Sequence, residues 1–337
     1  MKAAILREFG PPEVLHYEDV PDPVPGPGQV VVRVHATTVN RVLNCGVRAG
    51  TQMQRKPILP LVLGVDPSGE VVADGPAVDG VTMPPIGSRV SVLSRAGPGE
   101  KGMLGVNRWG GDAELVVAHA TMCFPIADSL DYHEASVVIR HCPTAFHLMY
   151  TMGKVKAEDW VLVMGCSGGL GTIGVQIAKM AGAKVIGAAG SADRARIGKD
   201  LGADFVVNYG EQDLTEEILR ITDGHGVDLV YDNIANPKTF PKAFAAMAHD
   251  SRLVTAGAHG GPVVPLDCFK LYDSKITIMG SAGSTMENVR QALDAAGRGK
   301  IRVNIERVFP LSQIREAHRL IESGAVPGKV ILDPTLG

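Results

Sequence analysis

Val161-Leu162-Val163-Met164-Gly165-Cys166-Ser167-Gly168-Gly169-Leu170-Gly171-Thr172-Ile173-Gly174 is the stretch that decides the fold: an apolar strand, a glycine turn, then a helix predicted over Val175 to Ala181. Gly168 lets the backbone approach a pyrophosphate, Gly171 lets helix and strand pack closely, and the helix start offers free N–H groups to phosphates. The elements come in the order a dinucleotide site requires, which makes Ser167, Gly168, Gly169, Leu170 and Gly171 its candidate loop. The first glycine of the strict GxGxxG pattern is replaced by Cys166. The competing reading is a turn that serves only strand-to-helix packing.

Around this stretch, helices alternate with short Val/Ile runs: Trp160 to Met164, Lys184 to Ala188, Phe205 to Val207, Leu229 to Tyr231 and Arg252 to Ala256. That rhythm predicts βαβ units on a parallel sheet. An NAD site usually carries a carboxylate at the end of the second strand, for the ribose 2′-OH, and here that position is Ala189. Ser191, Arg194 and Tyr209 supply a hydroxyl, a guanidinium and a phenol suited to a 2′-phosphate, so the expected cofactor is NADPH. The alternative is that Ser191 caps a helix, Arg194 is a solvated charge and Tyr209 packs on the sheet.

Up to about residue 125 the pattern is one of short strands and turns, with a Pro/Gly-rich loop at Pro21 to Gly28 and a Val-rich strand at Gln29 to His35. After Gly280 come a helix from Met286 to Gly297, a strand near Arg307, a helix from Leu311 to Ser323 and a last strand at Lys329 to Leu332, which do not extend the βαβ rhythm. The expected fold class is therefore α/β. A Rossmann-type parallel-sheet domain, residues 127–279, is inserted into a β-rich catalytic domain, residues 1–126 and 280–337, with a ligand cleft between them.

Of the 337 residues 20% are charged, and the net charge is −3, so no basic field favours nucleic acid or an anionic membrane. No apolar stretch reaches the roughly 18–20 residues of a membrane span, and the start of the chain lacks a secretory pattern, so the expected location is the cytoplasm. The 5 cysteines lie far apart and form no CxxC, which argues for reduced thiols.

Further motifs extend over nearly the whole chain: Met1-Lys2-Ala3, Gly64-Val65-Asp66-Pro67-Ser68-Gly69-Glu70-Val71, Gly87-Ser88-Arg89-Val90, Gly110-Gly111-Asp112-Ala113-Glu114, Thr144-Ala145-Phe146-His147, Leu201-Gly202-Ala203-Asp204 and Gly328-Lys329-Val330. With Ser167 to Gly171, they make the chain resemble the medium-chain dehydrogenase/reductase superfamily, specifically its quinone oxidoreductase branch. The resemblance implies a GroES-like fold for the β-rich domain. It also implies cofactor contacts from Thr144, Asn233, Gly257, Gly280 and Ser281, of which the last four fall at predicted strand ends, where α/β sheets place ligands.

In the zinc alcohol dehydrogenases of that superfamily, a histidine ligand would fall at Val65 and a cysteine ligand near Arg140, leaving only Cys45 close to a ligand position. Valine and arginine do not coordinate zinc, and residues 94–112 lack the four-cysteine lobe of a structural site, so no metal is expected. The family's Asn-x-x-Asp-x-x-x-Arg-x-Gly segment reads Asn40-Arg41-Val42-Leu43-Asn44-Cys45-Gly46-Val47-Arg48-Ala49-Gly50, one residue longer, with Asn44 at the aspartate position. The tyrosine often found after Arg-x-Gly is absent.

Without a Lewis acid, the chemistry implied is hydride transfer to an acceptor that is already electrophilic, a quinone or an α,β-unsaturated carbonyl. Asn40 and Arg48 are candidate site residues. Arg140 is a candidate for attracting an anionic substrate and His141 a candidate general acid. Their alternatives are a loop closure for Asn40, an ion pair for Arg140 and a structural histidine for His141. The runner-up enzyme is an enoyl-thioester reductase, and a reading of a different kind is a dinucleotide-binding protein without turnover. The apolar segment Lys275 to Met279 resembles the family's pairing edge strand, so a homodimer or homotetramer is expected.

Overall fold

The Val/Ile runs become the strands of one parallel sheet because strands covered on both faces can be apolar throughout. In the computed structural model, which describes residues 1–324 and 328–336, this sheet has the order Phe205–Asn208, Lys184–Ala189, Trp160–Met164, Val227–Tyr231, Met247–Thr255, Thr277–Gly280. Every neighbouring pair is parallel. In chain order the strands run 3-2-1-4-5-6, the doubly wound arrangement whose reversal lies beside the first strand. Val161, Leu162 and Val163 on that strand are fully buried. The edge strand is two residues shorter at its start than the sequence suggests, beginning at Thr277, and leaves Ile278 exposed.

The other strands form a seven-stranded, mostly antiparallel sheet and a three-stranded one. Gln29–Thr38 is central to the larger sheet and pairs with Ser68–Asp74, Leu115–His119 and Lys329–Asp333. These partners extend it to Thr38, beyond the end expected at His35. Val30, Val32 and Val34 point into a valine-rich core with Val71, Val90 and Val116. The terminal strand Lys329–Asp333 runs parallel to Ile305–Pro310, so the end of the chain completes the sheet that its beginning started.

The chain forms two compact units, Met1–Arg140 with Ala296–Arg298 and Val303–Gly337, and His141–Ala295 with Gly299–Arg302. Their edges fall later than residues 127 and 279. The first does so because Tyr132–Phe146 is one helix, whose Val137 packs with Ala36 and Ile331. The second does so because the Met286–Gly297 helix is tied by Asn288 to His147, whose Nδ1 lies 3.0 Å from Asn288 Oδ1. No helix among the described residues is long and apolar enough to cross a membrane.

Candidate active site

In the second unit the sheet's first strand ends at Met164, and Gly165 turns the chain with φ +64°. The helix that follows, Gly169–Met180, begins six residues earlier than the sequence rhythm suggests, directly at the glycines. A Cβ on Gly171 would lie 2.0 Å from the Gly165 carbonyl oxygen, and one on Gly174 2.9 Å from the buried Tyr231 ring. Both positions therefore require glycine for helix-on-strand packing. The N-cap, Gly168, makes no side-chain cap, whereas Ser191, Asp213 and Asp267 cap their helices through side chains. The first-turn N–H groups at Gly169 have no partner within the helix and remain available to an anion.

The structure also explains Cys166 at the first-glycine position. Its side chain fills the gap left by two other glycines: a Cβ on Gly198 would come within 2.7 Å of the sulfur, and one on Gly187 within 3.2 Å. Burial pushes the Cys166 thiol up to about 11, so it is a packed, protonated group.

At the end of the second strand Ala189 is buried and Gly190 follows. Ser191 accepts a hydrogen bond from the Arg194 N–H at 3.5 Å, the capping role named as its alternative. Arg194 is exposed. The Tyr209 ring lies against Gly190, close enough that a Cβ there would stand 3.2 Å from it. Burial raises the Tyr209 phenol, and the nearby Arg194 charge opposes that shift. Ser191, Arg194 and Tyr209 are thus brought together.

The remaining second-unit candidates fall mostly at strand ends. Asn233 Oδ1 accepts from the Ala256 N–H at 2.8 Å, while its buried Nδ2 has no partner among the described residues. Gly257 lies against Asn233, where a Cβ would stand 2.5 Å from its carbonyl oxygen. Gly280 ends the edge strand, and the Ser281 N–H donates to Thr255 at 2.9 Å. Thr144 is half-buried on the Tyr132–Phe146 helix, directly after Pro143, and His141 is half-buried three residues earlier.

In the first unit the extra residue after Asn40 is absorbed as a π-helical turn over Arg41–Cys45, in which the Cys45 N–H reaches the Asn40 carbonyl at 3.1 Å. Such turns accommodate one inserted residue in a helix. The Asn40 amide donates to Thr38 Oγ1 at 2.8 Å and to Asp66 Oδ2 at 3.0 Å. Asp66 is buried and also accepts from the Thr38 N–H at 2.8 Å, the Thr37 hydroxyl at 3.2 Å and the Thr38 hydroxyl. Burial pushes its carboxyl up, against these hydrogen bonds and the Arg140 charge.

Asn44 is fully buried and donates to Asp112 Oδ2 at 3.4 Å. Burial, then the Asp66 charge, pushes the Asp112 carboxyl up to about 8. The acid absent at position 44 is thus matched by one at 112, and an aspartate at both would place two carboxyls in one dry site. Asp66, Asp112, Thr37 and Thr38 were not singled out as site residues from the sequence. Asp66 and Asp112 do stand inside the quoted motifs, but their burial and contact are visible only in three dimensions.

Arg48 is 1% exposed, and its guanidinium is committed to the Gly10 carbonyl at 2.9 Å and to an ion pair with Glu322. It lies near His318, which burial and the Arg48 charge hold down at about 3. Asn40 and Arg48, eight residues apart, therefore have separate hydrogen-bond partners.

The chemistry of the metal-ligand positions is equally clear. Val65 belongs to a buried apolar cluster that also contains Cys45, whose thiol burial pushes up to about 12. Arg140 is half-buried; desolvation pushes its ionisation down, the Asp66 charge opposes this, and Arg55 and Arg95 add to it. Neither an aliphatic side chain nor a guanidinium is a zinc donor.

The alcohol dehydrogenase GroES-like domain family matches residues 26–128, and the zinc-binding dehydrogenase family matches residues 169–298. The chain is 30% identical to a quinone oxidoreductase from Homo sapiens, over 98% of this chain and 97% of that one. It is also 30% identical to an NAD-dependent alcohol dehydrogenase from Sulfolobus acidocaldarius, over 99% and 100%. A mycobacterial structure solved as a complex with NADPH superimposes with a TM-score of 0.78 at 30% identity, covering 99% of this chain and all of that one. The chain belongs to the medium-chain dehydrogenase/reductase superfamily, with a GroES-like domain and a Rossmann-type nucleotide-binding sheet. Within that superfamily of oxidoreductases it is quinone oxidoreductase-like.

Proposed function

We propose that this oxidoreductase is a zinc-free, NADPH-dependent reductase that delivers hydride to a quinone or an α,β-unsaturated carbonyl. The observation that carries the reading is the donor set described above: Val65 is packed in a core and Arg140 is a cation, where a zinc enzyme needs two ligands. An alcohol oxidation would lack its Lewis acid, whereas an electrophilic acceptor needs only a hydride donor and a stabilised oxyanion.

Bound NADPH supplies the hydride. The open helix start at Gly168–Gly171 would hold the pyrophosphate, and Ser191, Arg194 and Tyr209 would hold the 2′-phosphate, with Ala189 in place of the strand-end carboxylate. Asn233, Gly257, Gly280, Ser281 and Thr144 would hold the rest of the cofactor. Arg140 would supply positive charge to the oxygen that gains negative charge, while Asn40, whose two amide N–H groups go to Thr38 and Asp66, ties its loop to Asp66. His141 returns the proton. Arg48 acts through the fold, by fixing Glu322 and the Gly10 carbonyl.

A homodimer fits the same reading. The edge strand Thr277–Gly280 is unpaired on one side in its sheet, and Phe269 and Tyr272, 64% and 68% exposed, stack edge to face 5.3 Å apart on the neighbouring helix. The test of function is NADPH against NADH oxidation at matched concentrations, with quinones, enones and enoyl thioesters, after exhaustive chelation. Chelator-resistant turnover preferring NADPH is the expected result. Turnover only with an alcohol and NAD, or only with added zinc, would sink it.

A further inference from the structure

Asn40 is held from two sides. Its side-chain amide donates to Thr38 Oγ1 at 2.8 Å and to Asp66 Oδ2 at 3.0 Å. Its backbone is held by Asn44 in a closed ring: the Asn44 N–H donates to the Asn40 carbonyl at 2.9 Å, and the Asn40 N–H donates to Asn44 Oδ1 at 3.1 Å. That ring uses only the oxygen end of the Asn44 amide. The nitrogen end donates to Asp112, with Nδ2 3.4 Å from Oδ2. The contact is long, but Asn44 and Asp112 are both 0% exposed. A buried polar group that loses its partner there costs more than the bond itself contributes, because no water replaces the partner.

Asp112 is the fixed member of the pair. Its N–H donates to the Leu63 carbonyl at 2.9 Å, and its carbonyl accepts from the Ala4 N–H at 2.9 Å, so its backbone is tied to two other segments. It packs so closely on Gly64 that a Cβ there would stand 2.4 Å from its nitrogen and 2.5 Å from its Oδ1. Asn44 lies in the π-helical turn Arg41–Cys45 that follows Asn40. In either protonation state a carboxyl keeps an oxygen that accepts. Asp112 therefore selects the orientation of the Asn44 amide, nitrogen towards the carboxyl and oxygen towards the Asn40 N–H.

We propose that Asp112 is a positioning residue for Asn40, acting through Asn44, and that positions 44 and 112 together carry one acid and one amide, in either order. This rests on the hydride-transfer reading above, in which Asn40 is a site residue. Two acids at these positions have no N–H between them, and a hydrocarbon at 112 leaves the Asn44 amide unpaired. With the order reversed both bonds are remade: the carboxylate placed at 44 accepts from the Asn40 N–H, and the amide placed at 112 donates to that carboxylate.

The test uses the full-length protein with NADPH and a neutral quinone, and compares Asp112→Leu, Asn44→Asp, and Asn44→Asp combined with Asp112→Asn. Steady-state rates are read beside NADPH affinity by fluorescence titration and hydrogen–deuterium exchange of the peptide spanning 40–46. Each single variant is expected to lower kcat/KM for the quinone by about tenfold, one buried hydrogen bond, and to speed exchange of 40–46 by a similar factor. The NADPH Kd is expected to stay within about twofold of wild type, since the residues proposed to hold its phosphates are in the second unit. The combined variant is expected to return both kcat/KM and exchange to within about twofold of wild type. NADPH affinity lost along with turnover in the single variants, or a combined variant no better than Asn44→Asp, overturns the pairing. Faster exchange with unchanged kcat/KM overturns the positioning role. If the wild type turns over no acceptor, the hydride-transfer reading falls and exchange alone decides: loss in the single variants with recovery in the combined one supports the pairing, and unchanged exchange overturns it too.

Discussion

In the second unit the start of the Gly169–Met180 helix is bare: a glycine cap, no capping side chain, and glycines at 168, 169 and 171. In the first unit the space around Asn40 is crowded with Asp66, Asp112, Asn44 and two threonine hydroxyls, all but Asn40 buried. One region presents bare backbone and must keep side chains out. The other is built from side chains and must hold buried charges in place. The difference matters for mutation, since adding atoms damages the first region and removing partners damages the second.

The largest effect expected is in the bare region. Gly171→Val drives a side chain into the Gly165 carbonyl, where even a Cβ would stand 2.0 Å away. Overpacking on the order of 3 kcal/mol weakens NADPH binding by about a hundredfold in a fluorescence titration. Undiminished binding would erase the contrast between the two regions. Next comes stability in the crowded unit. Arg48→Met removes a buried guanidinium from the Gly10 carbonyl and from the partly exposed Glu322 and is expected to cost about 1–3 kcal/mol in urea unfolding, the size of a charged hydrogen bond lost. A loss under about 1 kcal/mol would mean that Arg48 is not a structural anchor.

Asp112 sharpens the comparison through pH. Its folded carboxyl titrates near 8, against about 3.9 for an unfolded aspartate. Between those values the folded state keeps a proton that the unfolded state has lost, so stability falls as pH rises from about 4 to about 8. The slope from this group is at most about 1.4 kcal/mol per pH unit. Thermal melts of Asp112→Asn across that window are expected to be flatter than wild type, and an unchanged slope would show that Asp112 is ionised in the folded protein. The smallest effect is on cofactor choice. Arg194→Gln is expected to reduce the preference for NADPH over NADH by about tenfold, one charge-assisted contact, measured as a ratio of kcat/KM values. An unaltered ratio would return Arg194 to the role of a solvated helix charge.

The two regions were not equally legible in the sequence. Val161 to Gly174 carries strand, turn and helix within one segment, so spacing alone was enough to find it, and only the helix start was placed six residues late. The substitution at Cys166 read as a weakened motif because the glycines that make room for it, Gly187 and Gly198, lie on other elements. Asn44 and the additional residue after Asn40 read as departures from the family's pattern. Both have local physical explanations, a π-helical turn and a neighbouring Asp112. Arg48 was grouped with Asn40 because both belong to one motif, yet their hydrogen bonds lead to different partners.

The sequence by itself determined the parallel sheet, the glycine turn and the absence of an acid at Ala189, since each depends on residues close together along the chain. Only the tertiary structure decided that Asp66 and Asp112 are buried neighbours and that Arg48 meets Glu322. Backbone periodicity and turn geometry are local properties. The burial of a charge, and the choice of its partner, depend on which distant segments fold against it.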